Sequence, residues 1–144
     1  MFETNISYAD FCTWAMERET LTPTGNFWAY EDAYEKGYAL LKGLDEYFEK
    51  YIFRKLIYNL GLHYIITTDY EYNGVQNPLY VKYEIATKGK GLIASASDAT
   101  SSATRVITNA MQNLDYLGQD LVSTPYGKYV YEILSTINIT PVLL

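Results

Sequence analysis

Apolar side chains recur at helical spacing along most of this chain, and one stretch dominates the pattern. Phe53, Leu56, Ile57, Leu60 and Tyr64 form one stripe, while Ile52, Leu62, Ile65 and Ile66 widen it. A helix so nearly apolar in its second half belongs at the centre of a bundle. The spacing predicts it from about Asp45 to Thr67. Gly61 within it costs roughly 1 kcal/mol in helix propensity, so its presence points to close approach by a neighbouring helix. A second stripe, Phe27, Tyr30, Tyr34, Tyr38 and Leu41, precedes it, with Glu31, Asp32, Glu35 and Lys36 mostly off that line. Asn26 is the expected N-cap of this helix. Gly43 is its expected stop, and acids early with Lys42 at the end suit the helix dipole. A shorter helix comes first, with Ser7 as N-cap and Asp10 as the reciprocal acid of a capping box. Tyr8, Phe11 and Ala15 share one of its sides, and it ends before Thr22-Pro23.

The pattern changes after Thr67. Asp69 to Pro78 is turn-rich, with Asn73-Gly74 the strongest signal in it. Leu79 to Ala86 alternates weakly and is compatible with a strand or a helix start. From Gly89 the chain runs through GLIASAS, which alternates as a strand does, then a turn at Asp98-Ala99-Thr100 and a returning SSATRVI. Ser95, Ala96, Ser97, Ser101, Ser102 and Ala103 are too small for this hairpin to bury much apolar surface. At roughly 25 cal/mol per Å² it cannot offset its own ordering entropy. Such a ribbon either pairs its free edges with another chain or is a surface loop, and both readings stay open.

Asn109 to Val122 suits one or two short helical turns. Ser123-Thr124-Pro125 is a clean helix start, a hydroxyl N-cap followed by proline. Tyr126, Val130, Ile133, Leu134 and Ile137 then keep the helical period, and no charged residue follows Glu132. Pro141 prevents a long continuation of that helix. Ile139, Val142, Leu143 and Leu144 make the closing stretch an apolar arm that folds back on its own domain or docks on a partner. Docking is the favoured expectation.

The expected fold class is therefore mainly α: a small helical bundle with a protruding β-hairpin loop and an extended C-terminal arm. With 144 residues and no internal repeat, one domain is expected. Its helical core covers about 7–68 and 109–137, its hairpin loop about 89–107 and its arm 138–144.

Composition sharpens this in three ways. No apolar run approaches the roughly 20 residues of a membrane span, and the first residues lack the basic start and apolar core of a signal peptide. Cys12 is the only cysteine, so no intrachain disulfide forms and a reducing compartment is the simpler expectation. A formal charge of −6 argues against a general nucleic-acid-binding surface. Tyrosine is anomalous, at 16 residues against 5 Phe and 2 Trp. Tyr suits surfaces that are wet in one state and buried in another, while codon bias in an AT-rich genome is the blander explanation and would account for much of the count.

Candidate chemistry is sparse. His63, the only histidine, lies in the most apolar helix and is expected in the core or an interface with one satisfied nitrogen. Cys12 is expected to be a small buried residue. One His and one Cys cannot make a zinc site, and Gly89-Lys90-Gly91 lacks the rest of a phosphate loop. Glu31, Asp32 and Glu35 are most simply a solvated helix face; an enzyme built from Tyr and carboxylates would instead gather Tyr30, Glu31 or Glu35 in a pocket. No catalytic, cofactor or metal residues are assigned. Lys82, Lys88, Lys90 and Arg105 are the one basic concentration, taken singly as edge protection and as a group as contacts to a partner or a polyanion.

The order of elements resembles a family of tailed-phage head–tail connector proteins, also called adaptor or head-completion proteins. The matching residues are Gly91-Leu92-Ile93-Ala94-Ser95-Ala96-Ser97, a short turn, and Ser101-Ser102-Ala103. Ser123-Thr124-Pro125-Tyr126-Gly127 with Tyr129 resembles the family's T-x-Y-G segment opening the last helix, with Leu121-Val122 where the family often has an aromatic. Tyr38-Ala39-Leu40-Leu41 and Leu56 to Ile66 fall where the family has buried helices, so the likeness spans roughly residues 26–137. The resemblance implies a non-catalytic virion protein, made in the host cytoplasm and assembled as a ring, commonly dodecameric, at the head–tail junction. Its partners would be further copies of itself, the portal, tail or further connector proteins, and genome DNA passing through without sequence-specific binding. The interface residues it implies are Gly91, Leu92, Ile93, Ser95, Ser97, Ser101, Ser102, Thr104 and Arg105 of the loop, and Ile139, Val142, Leu143 and Leu144 of the arm. A cytosolic helical adaptor or regulatory domain acting as a small homo-oligomer is the alternative.

Overall fold

A computed structural model describes residues 3–23, 26–88 and 121–139, with 87, 88 and 136–139 described by their backbone. The described chain is predominantly helical. Helix α1 is Tyr8–Met16, α2 is Trp28–Leu41 and α3 is Lys50–Thr67. Two short helices follow, α4 (Pro78–Lys82) and α5 (Ile85–Lys88), and α6 spans Pro125–Ile139. Between α3 and α4 lies a two-stranded antiparallel hairpin, β1 (Glu71–Tyr72) with β2 (Val75–Gln76). Its Asn73 and Gly74 both have positive φ, 52° and 78°, the primed turn that an Asn-Gly pair favours.

The apolar second half of α3 is central, as its pattern predicts. Every residue from Leu60 to Thr67 is buried, and Leu56 and Ile57 are fully enclosed before it. Each such aliphatic contributes roughly 1.5–3 kcal/mol on burial. Helix α2 packs on one side of α3 and α6 on another. Helices α2 and α3 meet closely at Gly37 and Gly61. A Cβ on Gly37 would lie 3.2 Å from the Gly61 nitrogen, and one on Gly61 would lie 2.9 Å from the Phe11 ring. Gly61 therefore lets α2 and Phe11 of α1 reach the backbone of α3.

Several boundaries differ from the sequence expectation, each for a packing reason. The long helix begins at Lys50 rather than near Asp45, because Lys42–Tyr47 forms a 3-10 turn and Phe48 is extended. Helix α2 ends at Leu41 with Lys42 as its C-cap, just ahead of the expected stop at Gly43, and the 3-10 turn that follows brings Leu44 into the core. Phe27 rather than Asn26 is the N-cap of α2 and makes no side-chain cap bond. Its ring instead fixes the entry of the helix, 5.1 Å from both Tyr30 and Tyr70 and 5.5 Å from Tyr72. The stretch from Leu79 to Ala86, ambiguous in sequence, is helical on both sides of a left-handed Glu84 (φ 55°). Helix α6 includes Asn138 and Ile139, so the arm assigned from 138 starts no earlier than 140. The predicted hairpin loop at 89–107 and the helical turns near 109–120 lie outside the described residues.

Ser7 caps α1 as expected, accepting from the Asp10 nitrogen at 3.2 Å. The reciprocal half of the box does not form. Asp10 Oδ2 accepts from Arg54 Nη2 at 2.8 Å and Tyr58 OH at 2.9 Å, both on α3. The Ser7 nitrogen donates to the Tyr58 hydroxyl instead. Asn77 is a second buried cap: its Nδ2 donates to the carbonyls of Ile65 and Thr68 at 2.8 Å, and its Oδ1 accepts from the Leu79 nitrogen at 3.0 Å. One amide thus closes α3 and opens α4.

Candidate functional site

The most constrained chemistry gathers where the end of α1, the end of α4 and the start of α6 meet. Three residues at the start of α6 have a contact role each. Thr124 is the N-cap, its Oγ1 accepting from the Gly127 nitrogen at 3.0 Å. The same Oγ1 lies 2.8 Å from His63 Nδ1 on α3. Gly127 sits so close to this pair that an added Cβ would lie 2.6 Å from His63 Nδ1 and clash with the Leu121 carbonyl. Tyr126 sends its hydroxyl across to Glu19 Oε2 at 2.6 Å. The T-P-Y-G segment is thereby seated on the central helix.

His63 is fully buried, as its apolar context implies. Burial first, and the nearby Lys36 charge second, push its pKa down to about 3, so the ring stays neutral. Its Nε2 has no hydrogen-bond partner among the described residues. One satisfied nitrogen is the sequence expectation, and Thr124 supplies it.

Glu19 is the residue that the sequence does not single out. It follows α1, with its nitrogen bonded to the Ala15 carbonyl at 2.9 Å, and its side chain is 4% exposed. Its carboxylate receives Tyr83 OH at 2.5 Å and Tyr126 OH at 2.6 Å on Oε2, and Lys82 Nζ at 3.0 Å on Oε1. Burial alone would raise the Glu19 pKa, but bonds from Tyr126, Tyr83 and Lys82 outweigh it and hold it below the usual carboxylate value. The phenols respond oppositely. Burial and then the carboxylate push Tyr83 up to about 12 and Tyr126 higher still. The result is an ionised acid held by neutral phenols, in the short geometry of charge-assisted bonds. Its partners lie 63 to 107 residues away in sequence, a separation no local pattern reveals.

The residues singled out from sequence are distributed as follows. Lys82 is 61% exposed but bonded to Glu19 within its own chain, and Lys88 closes α5. Ile139 ends α6. Gly91, Leu92, Ile93, Ser95, Ser97, Ser101, Ser102, Thr104, Arg105, Lys90, Val142, Leu143 and Leu144 lie outside the described residues. Cys12 is half-buried and its thiol pKa is raised by burial. Tyr30 is not brought together with Glu31 and Glu35. Its buried hydroxyl donates to the Pro23 carbonyl at 2.8 Å, while both acids are exposed. Among the described residues no group of three or more His, Cys, Asp or Glu is placed to hold a metal, and no helix is long and apolar enough to cross a membrane.

A second feature is an exposed aromatic patch at the start of α2. Trp28 is 58% exposed and Val75 60%, and Phe27 joins Trp28 to Tyr72 through ring contacts at 5.6 and 5.5 Å. Beside Trp28 is a recess of about 210 Å³ lined in part by Asp32, Lys36 and Tyr64, with Lys36 Nζ 4.2 Å above the Tyr64 ring. Surfaces of this kind mark contact with other proteins more often than small-molecule chemistry. Comparison with family models, with curated proteins and with solved structures returns no match, so the function is argued from this chain's own residues.

Proposed function

We propose that this chain is a structural virion protein that forms a ring at the head–tail junction, between portal and tail, and continues the DNA channel. The observation that carries this reading is the seating of Thr124-Pro125-Tyr126-Gly127 against the buried helix α3 through His63 and against the end of α1 through Glu19. That segment is one of the two motifs that carry the connector resemblance, and it opens the last helix of a predominantly helical domain. The other half, the small-residue stretch from Gly91 to Ala103, falls in sequence between α5 and α6. An exposed patch around Trp28 and an excess of tyrosine suit a protein that works by contact. A net charge of −6 suits a wall that DNA passes rather than grips.

In this reading Gly91 to Arg105 meets the neighbouring subunit, and the apolar residues after Ile139 dock on an adjacent subunit or virion component. The test is to purify the full chain, mix it with the portal protein encoded in the same genome, and examine the mixture by mass photometry and electron microscopy. Rings with a central channel, bound coaxially to the portal, are expected. Removing residues 140–144 should leave the helical core folded and abolish incorporation. A small soluble oligomer without affinity for the portal would replace this reading with the cytosolic adaptor.

A further inference from the structure

Glu19 has a role that follows from where its three donors sit. Lys82 and Tyr83 belong to the end of α4, and Tyr83 lies six residues before Gly89. Tyr126 belongs to the first turn of α6, six residues after Asp120. Both hydroxyls end on one atom, Glu19 Oε2. The carboxylate is inside the protein, whereas the lysine is mostly in water. The end of α1 is itself fixed: Arg18 donates to the Trp14 carbonyl at 2.9 Å and lies 4.0 Å above the Trp14 ring, and that ring contacts Tyr126 and Tyr58.

We propose that Glu19 is a positioning residue that holds the two roots of the 89–120 segment against the end of α1 as one unit. The chain before Gly89 and the chain after Asp120 meet on a single carboxylate oxygen. Two short bonds to one ionised acceptor fix the separation of the roots more tightly than two independent contacts to different groups would. The core does not need this arrangement, because α2 and α3 pack through Gly37, Gly61 and the aliphatic stripe without it. The inference stands whether or not the chain forms a ring.

Hydrogen–deuterium exchange on the full chain, wild type against Glu19→Gln, tests it. Glutamine keeps the size but replaces one acceptor oxygen with a donor and removes the charge. Peptides covering 82–88 and 121–127 should both exchange roughly tenfold faster or more, while Phe53–Ile66 keeps its wild-type protection. Acceleration of one root only, of neither, or of α3 to the same extent would overturn the proposal. Tyr83→Phe and Tyr126→Phe, each losing one hydroxyl, keep the question answerable if Glu19→Gln fails to fold. Each should loosen its own root by several-fold with α3 unchanged, and two silent variants would sink the idea.

Discussion

Asp10 and Glu19 are built from the same parts and do different things. Each is a carboxylate held by a cation and by tyrosine hydroxyl, and each is kept ionised against its own burial. Asp10 draws both partners from one face of α3, where Arg54 and Tyr58 are four residues apart. Its cation is largely buried, with 12% of the Arg54 side chain exposed, and Arg54 also donates to the Asn5 carbonyl at 2.9 Å. That cluster joins two rigid helices. Glu19 draws its partners from two places far apart in the chain, and its cation is mostly hydrated. The guanidinium therefore matters in the first cluster and the phenols in the second, because water screens an exposed ammonium far more than a buried donor.

The contrast breaks most completely at Gly127, which lets α6 start against His63 and so brings Tyr126 within reach of Glu19. Gly127→Ala should cost about 3 kcal/mol or more, at the top of the overpacking range, since one neighbour is backbone. Urea denaturation measures it. Next, Arg54→Met should cost about 3 kcal/mol, because it leaves Asp10 without its buried cation. A loss below about 1 kcal/mol would mean that the first cluster is as exposed in effect as the second.

Acid separates the clusters from His63. All three groups titrate below their free values in the fold, so the unfolded chain binds more protons as pH falls and stability drops. For His63 the decline runs from about pH 6.5 down to about 3, at most roughly tenfold in the folding equilibrium per pH unit. Asp10 and Glu19 add theirs only below the free carboxylate values of 3.8 and 4.5. Denaturation between pH 7 and 5 should therefore lose its slope in His63→Gln, while the steeper fall below about pH 4.5 remains.

Smaller effects refine the comparison. Tyr58→Phe should cost about 2 kcal/mol, because that hydroxyl serves Asp10 and the backbone of Asn5 and Ser7. Its effect should appear in global thermal unfolding, unlike that of Tyr83→Phe. Lys82→Met should cost less than about 1 kcal/mol, the range of an exposed pair. A larger loss would show that the hydrated cation is an essential member of the second cluster.

The sequence exposes what is periodic or local. The α3 stripe, the Ser7 cap, the Thr124-Pro125 start and the buried place of His63 are all written within a few residues of themselves. Gly61 points to a close approach because glycine inside a helix costs roughly 1 kcal/mol in propensity, and the approach is there. The clusters are not legible, since Asp10 looks like half of a capping box and Glu19 looks like a polar residue at a helix end. Asn77 looks like ordinary turn chemistry before Pro78, although its amide spans two helices. Long-range polar pairing leaves no period to detect.

A fixed base changes what an intervening stretch can become. If the two ends are held by the folded domain, lengthening the insert adds only chain entropy, about 0.6 kcal/mol for each doubling. Residues 89–120 could then be exchanged for foreign sequence of different length and chemistry, with Lys82, Tyr83, Glu19 and Tyr126 retained as the seam. The α2–α3 core, packed through Gly37, Gly61 and the aliphatic stripe, would serve as the scaffold for each replacement. The domain would then diversify by substituting a cassette rather than by remodelling a core.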